Sequence, residues 1–147
     1  LCRSIGVSNF TIDNLKELEE KYDVLPAINQ VEFHPYHYQK ELLEYCNSKN
    51  IIIEAYSPLV HAKRMDEPRL MAISDELGKT PAQVLIRWAI QRGMVVLPKS
   101  VNQDRIVENF AVFDFDISNS LMKRLDDLDE RYVTCWDPHN PPPYAPV

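Results

Sequence analysis

Short apolar runs alternate with longer amphipathic stretches along this chain of 147 residues. Four of these runs are rich in β-branched side chains and end in turn-forming residues, a pattern typical of strands. They occupy residues 5–7, 27–31, 51–56 and 95–97. None of them alternates strictly between apolar and polar residues, which predicts strands buried on both faces of a parallel sheet.

Leucine and isoleucine recur at helical spacing after each predicted strand. Six helices are predicted. The first is capped by Thr11 or Asn9 and ends near Tyr22, the second covers about 39–49, and the third ends at Gly78. The fourth is capped by Thr80 with Pro81 at its first position, and the last two cover about 103–110 and about 118–129. This strand–helix order indicates βαβ units. We expect a single domain over residues 1–136 and an irregular, proline-rich tail over 137–147.

Polar or reactive side chains stand where each predicted strand ends. They are Ser8 and Asn9, then Gln30 and Glu32, then Tyr56 and Ser57, and finally Lys99 and Ser100. In a parallel barrel the carboxyl ends of all strands open on one face, and that face carries the chemistry. We therefore expect these side chains to share one site.

The segment after the fourth predicted strand has side chains suited to binding a phosphate monoester beside a purine. Lys99 supplies a point charge, and Arg105 supplies a planar fork that suits phosphate oxygens. The helix start between them, capped by Ser100 or Asn102, offers free N–H groups to an anion. Two residues on the helix face of Arg105 could hydrogen-bond an adenine edge, namely Glu108 and Asn109.

Composition excludes several classes of function and of binding site. The net charge of −6 leaves no broad basic face for nucleic acid, and no apolar run approaches the length of a membrane span. Cys2, Cys46 and Cys135 lack metal or redox spacing, so we expect no metal and reduced thiols in a cytoplasmic protein. Only three glycines occur, which excludes a G-x-G-x-x-G loop, so any dinucleotide must bind by another architecture.

Four motifs, in the right order along the chain, resemble the aldo-keto reductases, which are (β/α)8-barrel enzymes that use NADPH. The motifs are Ser-Ile-Gly-Val-Ser-Asn-Phe at 4–10, Asn-Gln-Val-Glu-Phe-His-Pro-Tyr at 29–36, Ala-Tyr-Ser-Pro-Leu at 55–59 and Lys-Ser-x4-Arg-x2-Glu-Asn at 99–109. The resemblance implies an α/β fold, a partial (β/α)8 TIM barrel that corresponds to the last four βα units plus the C-terminal tail.

The resemblance also implies a role for each matching residue. Ser8, Asn9 and Gln30 take the positions that hold the nicotinamide carboxamide, and Tyr56 takes the position that stacks under the ring. The pyrophosphate positions are Ser57 and Leu59, and the adenosine 2′-phosphate end comprises Lys99, Ser100, Arg105, Glu108 and Asn109. Trp136 is a candidate substrate contact, since this segment can line the substrate pocket in the family, with a surface aromatic as the alternative.

The family's catalytic Tyr, Lys, Asp and His lie on the first four strands, and this chain begins at what resembles the fifth. We therefore expect that tetrad upstream of Leu1, no catalytic residue within the chain, and a structural role for His34. The chain would then be the cofactor-binding half of an enzyme that reduces a small aldehyde or ketone, inactive alone, with the missing N-terminal half as its partner. The alternatives are a truncated, inactive NADPH-binding protein that self-associates as a half-barrel dimer, and a non-enzymatic partner subunit.

Overall fold

The sheet has four strands, all parallel, in the computed structural model, which describes residues 2–135. The strands are β1 (Gly6–Ser8), β2 (Ile28–Glu32), β3 (Ile52–Tyr56) and β4 (Val95–Val96). They pair in the order β1-β2-β3-β4, so each strand lies beside its neighbour in the sequence. This confirms the α/β fold with four parallel strands.

Helices connect and follow the strands, largely as the apolar spacing predicts. They are α1 (Ile12–Lys21), α2 (Lys40–Ser48), α3 (Pro68–Leu77), α4 (Pro81–Gln91), α5 (Gln103–Phe110) and α6 (Asn119–Asp126), with a short 3₁₀ turn at Val60–Ala62. Thr11 rather than Asn9 caps α1, and Asn102 rather than Ser100 caps α5. The last helix ends at Asp126, earlier than the expected 129.

The core lies against one face of the sheet. Val31, Ile53 and Ala55 are each at most 2% exposed and pack with the apolar stripes of the helices. Ile52 and Val95, which point to the other face, remain 48% and 44% exposed. The expectation of strands buried on both faces is therefore wrong for the described residues, because the helices cover only one face of this sheet.

Strand register brings the polar strand ends to one edge. Ser8 pairs with Gln30, Gln30 pairs with Glu54, and Glu32 pairs with Tyr56. The segment after α6 returns to the same edge, where the backbone N–H of Tyr132 donates to the carbonyl of Tyr36 at 2.8 Å. The carboxyl edge of the sheet and the end of the described chain thus lie together.

No helix between residues 2 and 135 is long and apolar enough to cross a membrane. The predicted tail over 137–147 lies outside the described residues, so its irregular structure stays a prediction.

Candidate functional site

Hydrogen bonds link residues from three strand ends at the carboxyl edge of the sheet. We call these residues, Ser8, Asn9, Gln30 and Tyr56, the strand-end cluster. The hydroxyl of Ser8 and the backbone N–H of Asn9 both donate to the carbonyl of Gln30, each at 2.9 Å. The phenol of Tyr56 donates to Oδ1 of Asn9 at 3.0 Å. β1 and β3, which do not pair directly, are thereby joined across the end of β2.

The amide of Gln30 is oriented by the neighbouring strand. Its Nε2 donates to the carboxylate of Glu54, its register partner on β3. Burial, and next the negative charge of Glu32, raise the pKa of Tyr56 above its ordinary value. At neutral pH Tyr56 is therefore a neutral phenol that donates a hydrogen bond and offers a half-buried ring.

The loop after β3 is held in left-handed backbone conformations. Ser57 has a φ of 49°, and the consecutive residues Val60, His61 and Ala62 have φ values of 54°, 50° and 61°. Such residues cost about 1–2 kcal/mol each unless the surroundings hold them. Leu59 packs against the core, and the hydroxyl of Ser57 lies 3.2 Å from Nε2 of His61. The loop thus presents a serine hydroxyl on a restrained backbone beside the strand-end cluster.

Residues 99–109, here called the phosphate segment, form a second and more open part of the site. Lys99 and Arg105 are both exposed. Oδ1 of Asn102 accepts from the backbone N–H of Arg105 at 3.1 Å, which fixes the start of α5. A groove of about 410 Å³ runs beside the cations, lined by Pro98, Ser100, Ile106, Val107, Asn109 and Phe110.

The two residues expected to read an adenine edge differ in their surroundings. Asn109 is 8% exposed and lines the groove with Ser100. Glu108 accepts a hydrogen bond from the hydroxyl of Thr80 at 2.7 Å, so its carboxylate also ties α5 to the start of α4. Ser100 and Asn109 therefore share one groove, whereas one carboxylate oxygen of Glu108 is already engaged.

Glu32 is the residue of this region to which the sequence assigned no role. It is 2% exposed, and its carboxylate accepts from Nε2 of His34 at 3.0 Å. It also accepts from the backbone N–H groups of Thr134 at 2.8 Å and Cys135 at 3.0 Å, and from the hydroxyl of Thr134. The only signal in the sequence is a carboxylate inside the apolar run Val31-Glu32-Phe33.

These hydrogen bonds determine the charge of Glu32. Burial by itself raises the pKa of Glu32, but the donors from His34, Thr134 and Cys135 outweigh it and lower the pKa to about 2. Glu32 is therefore an anion at neutral pH, and it fastens the 134–135 segment to the end of β2. His34 is buried against it, and the structural role expected of His34 stays a prediction.

Three further expectations concern a metal, a substrate contact and the catalytic residues. Residues 2–135 contain no group of three or more His, Cys, Asp or Glu side chains that could hold a metal ion. Trp136 lies outside the described residues, so its contact with a substrate stays a prediction. Leu1 lies outside them as well, and the expectation that the catalytic tetrad precedes Leu1 in the sequence likewise stays a prediction.

Comparison with known proteins supports the resemblance to the aldo-keto reductases. The model of the Aldo/keto reductase family matches residues 1–130. A glyoxal reductase of Bacillus subtilis is 45% identical over 131 residues, which cover 88% of this chain and 48% of that protein. The chain thus spans about half the length of the curated relatives it matches.

Solved structures agree with the sequence match. A point mutant of Gox0644 in complex with NADPH has a TM-score of 0.87 at 37% identity, covering 93% of this chain and 51% of that one. An aldo-keto reductase of Bombyx mori in complex with NADP has a TM-score of 0.82 at 33% identity, covering 89% and 46%. The four-stranded sheet accordingly corresponds to part of a TIM barrel. With its family motifs gathered at one edge of that sheet and a family match over most of its length, the chain belongs to the aldo/keto reductase family.

Proposed function

We propose that this chain is the cofactor-binding half of an NADPH-dependent reductase that converts an aldehyde or ketone into an alcohol. The observation that carries the proposal is the hydrogen bond from Tyr56 to Asn9, which joins two strand ends beside Gln30. NADPH, when bound, supplies the hydride for the carbonyl carbon. The residues of this chain bind and orient that cofactor.

The strand-end cluster fits a nicotinamide. A carboxamide has one acceptor oxygen and two donor hydrogens, and hydroxyl and amide side chains complement both. Because Oδ1 of Asn9 already accepts from Tyr56, its amide N–H groups are the ones that would meet the carboxamide oxygen. The ring of Tyr56 is partly accessible, and offset stacking on such a ring contributes about 0.5–1.5 kcal/mol.

The restrained loop and the phosphate segment fit the rest of the dinucleotide. Ser57, with Leu59 beside it, would donate its hydroxyl to the pyrophosphate. Lys99 and Arg105 would neutralise the adenosine 2′-phosphate, with Ser100 as a further donor. The groove with Asn109 would receive the adenine, with Glu108 at its rim. Since NADH lacks the 2′-phosphate, the two cations also determine the choice of cofactor.

Catalysis would require a tetrad that the proposal assigns to residues upstream of Leu1. We therefore propose that the 147 residues bind NADPH without turnover, and that a small carbonyl compound is reduced only in the complete barrel. The three free cysteines support a reducing, cytoplasmic location.

A second candidate is an inactive protein that binds NADPH or associates with a partner. The exposed apolar side chains of Ile52 and Val95 offer a surface on which a partner or a second copy of this chain could dock, because exposed apolar patches mark interaction sites. If the complete protein transfers hydride from NADPH to an aldehyde and the 147 residues alone do not, this result supports the first candidate over the second.

The phosphate segment provides the sharpest test of the cofactor assignment. Arg105→Ala removes a charged hydrogen-bonding group worth about 2 kcal/mol, so the dissociation constant for NADPH should rise about thirtyfold. The dissociation constant for NADH should change by less than about twofold, since NADH has no 2′-phosphate. Titrations followed by NADPH and NADH fluorescence measure both constants.

Lys99→Ala should behave in the same way with a smaller rise. Lys40→Ala is the matched control, because Lys40 is an exposed cation on α2, outside the phosphate segment, whose ammonium lies 3.8 Å from Glu44. An unchanged dissociation constant for NADPH in both Lys99→Ala and Arg105→Ala would refute the assignment of these residues to the 2′-phosphate. Equal losses for NADPH and NADH would do the same, because they would indicate a general structural effect.

A further inference from the structure

Asn29 is a buried polar residue of β2 to which neither the family resemblance nor the proposed cofactor contacts give a role. It is 0% exposed. Its amide makes two hydrogen bonds with the backbone of one residue, Phe10. The backbone N–H of Phe10 donates to Oδ1 of Asn29 at 3.3 Å, and Nδ2 of Asn29 donates to the carbonyl of Phe10 at 2.9 Å. We call this reciprocal pair of hydrogen bonds the amide clamp.

The amide clamp begins where the backbone pairing of β1 with β2 stops. Ser8 is the last residue of β1 and pairs with Gln30. Asn9 then adopts a left-handed backbone with a φ of 56°, which turns the chain out of the sheet. Beyond this turn a side chain, that of Asn29, supplies a partner to both the N–H and the carbonyl of Phe10. The clamp therefore continues the pairing that the backbone of β2 no longer provides.

The left-handed conformation of Asn9 is held from both sides. A residue with a Cβ keeps such a backbone only where its surroundings restrain it. On one side, the N–H of Asn9 donates to the carbonyl of Gln30 at 2.9 Å. On the other side, the clamp fixes the peptide of Phe10. The direction in which the Asn9 side chain leaves the backbone is thereby set, and its Oδ1 meets the phenol of Tyr56 at 3.0 Å.

The amide of Asn29 is itself held by the helix layer. Asn29 hydrogen-bonds with the thiol of Cys46 on α2, which is 0% exposed. Burial raises the pKa of this thiol to about 11, against the smaller, opposite effect of Asn29, so the thiol is neutral at pH 7. Turning the amide of Asn29 over would set its donors against the N–H of Phe10. Asn29 thus has the fixed orientation that is needed to position another residue.

We propose that Asn29 is a positioning residue for the nicotinamide site, because its amide clamp holds Asn9 in the backbone conformation that directs the Asn9 amide towards the carboxamide of NADPH. The inference rests on the proposed function, which assigns Asn9 to that carboxamide. Asn29 lies on the same face of β2 as Val31, which packs in the core. It therefore acts through the backbone of Phe10 and Asn9, and not by touching the cofactor.

The experiment compares NADPH with 2′-phospho-ADP-ribose, which keeps the 2′-phosphate and the pyrophosphate but has no nicotinamide. In the 147-residue chain, Asn29→Ala should raise the dissociation constant for NADPH about tenfold, because the Asn9 amide loses its fixed direction. The dissociation constant for 2′-phospho-ADP-ribose should change by less than about twofold. Isothermal titration calorimetry measures both constants. Asn47→Ala is the matched control, since it makes the same chemical change on the exposed side of α2 and should alter neither constant.

Asn29→Asp tests the clamp with almost no change of shape. A protonated carboxyl group has one donor and one acceptor and can make both hydrogen bonds to Phe10, whereas an ionised carboxylate has no donor for the carbonyl of Phe10. NADPH should therefore bind this variant nearly as tightly as the unaltered chain at about pH 5.5, and about tenfold more weakly at about pH 8. The constant for 2′-phospho-ADP-ribose, measured at each pH, corrects for titration of the 2′-phosphate itself.

Hydrogen exchange tests the clamp without a variant and without cofactor. The Phe10 amide of the unaltered chain should exchange at least about tenfold more slowly than an unstructured amide. Exchange at the unstructured rate would overturn the proposal.

The two binding constants separate this proposal from the proposed function. Equal losses for NADPH and 2′-phospho-ADP-ribose in Asn29→Ala would reduce Asn29 to a general structural role, and an unchanged NADPH constant would deny it any role at the site. Either result overturns the inference and leaves the proposed function standing, because the unaltered chain still binds NADPH. If the unaltered chain binds 2′-phospho-ADP-ribose no more weakly than NADPH, the nicotinamide contacts fail, and the inference fails with them.

Discussion

The strand-end cluster and the phosphate segment are built in opposite ways. In the cluster, Ser8 contacts a residue 22 positions away and Tyr56 contacts one 47 positions away. Glu32 beside it binds Cys135, which is 103 positions away. At the start of the phosphate segment, by contrast, Asn102 caps the N–H group of a residue only three positions further on, and both cations are exposed. Glu108, near the end of the segment, is instead tied to Thr80, which is 28 positions away.

This difference determines how each region responds to change. A substitution at a buried group with several long-range partners, as at Glu32, leaves those partners without hydrogen bonds, so its effect is large and spreads to other residues. Loss of one long-range hydrogen bond at a half-buried group, as at Tyr56, costs less. A substitution in a short, exposed segment changes a helix end or one charge, and its effect stays local.

Glu32→Gln should be the most destabilising change, lowering the free energy of unfolding by about 3 kcal/mol. The carboxylate accepts from His34, Thr134 and Cys135, whereas an amide offers one acceptor oxygen and turns donor hydrogens towards N–H groups. Urea denaturation followed by circular dichroism measures the loss.

The control is Glu20→Gln, which makes the same chemical change on the exposed side of α1. Its free energy of unfolding should change by less than about 0.5 kcal/mol. Equal, small losses in both variants would show that the 134–135 segment is not held by Glu32, and the contrast between the two regions would fail.

Acid should weaken the same contact without mutation. The pKa of Glu32 lies near 2 in the folded protein against an ordinary value of 4.5, so the carboxylate stabilises the fold above pH 4.5. This stabilisation is lost as the pH falls from 4.5 to 2, because the unfolded chain takes up the proton first. Denaturation curves between about pH 6 and about pH 2.5 should fall more steeply for the unaltered chain than for Glu32→Gln. Parallel pH profiles would contradict the assignment.

Asn102→Ala should cost about 1 kcal/mol of local stability at the start of α5, because it removes the cap on the N–H of Arg105. Amide hydrogen exchange should quicken in the first turn of α5 and stay unchanged at β2. Asn102→Asp keeps an acceptor oxygen and should retain protection. Faster exchange throughout the sheet after Asn102→Ala would mean that the phosphate segment is not autonomous.

Tyr56→Phe should have the smallest effect, about 0.5–1 kcal/mol of stability, because it deletes one hydrogen bond to Asn9 and keeps the ring. Since the ring is the part proposed to stack on nicotinamide, the NADPH dissociation constant should rise less than about threefold, while Tyr56→Leu should raise it further. Fluorescence titration compares the two variants. A larger loss in Tyr56→Phe than in Tyr56→Leu would assign the role to the phenol instead of the ring.

Local chemistry explains which features could be predicted. The caps Thr11 and Thr80, the left-handed Gly78 at the end of α3 and the spacing of Lys99 and Arg105 all depend on neighbours within a few residues. The β-branched runs likewise mark all four strands to within a residue or two. The role of Glu32 depends on Thr134 and Cys135 instead, which no local pattern connects to it.

The sequence by itself determined the strand–helix order, the helix starts, the family and the positions of the proposed cofactor ligands. Each of these follows from side chains that act on their immediate neighbours or from motifs written in consecutive residues. Only the tertiary structure decided that the helices within residues 2–135 cover one face of the sheet, that Glu32 is a buried anion holding the end of the described chain, and that Cys135 meets His61. The physical reason is that burial and long-range hydrogen bonds depend on which segments meet in space, and a linear pattern of residues does not specify those encounters.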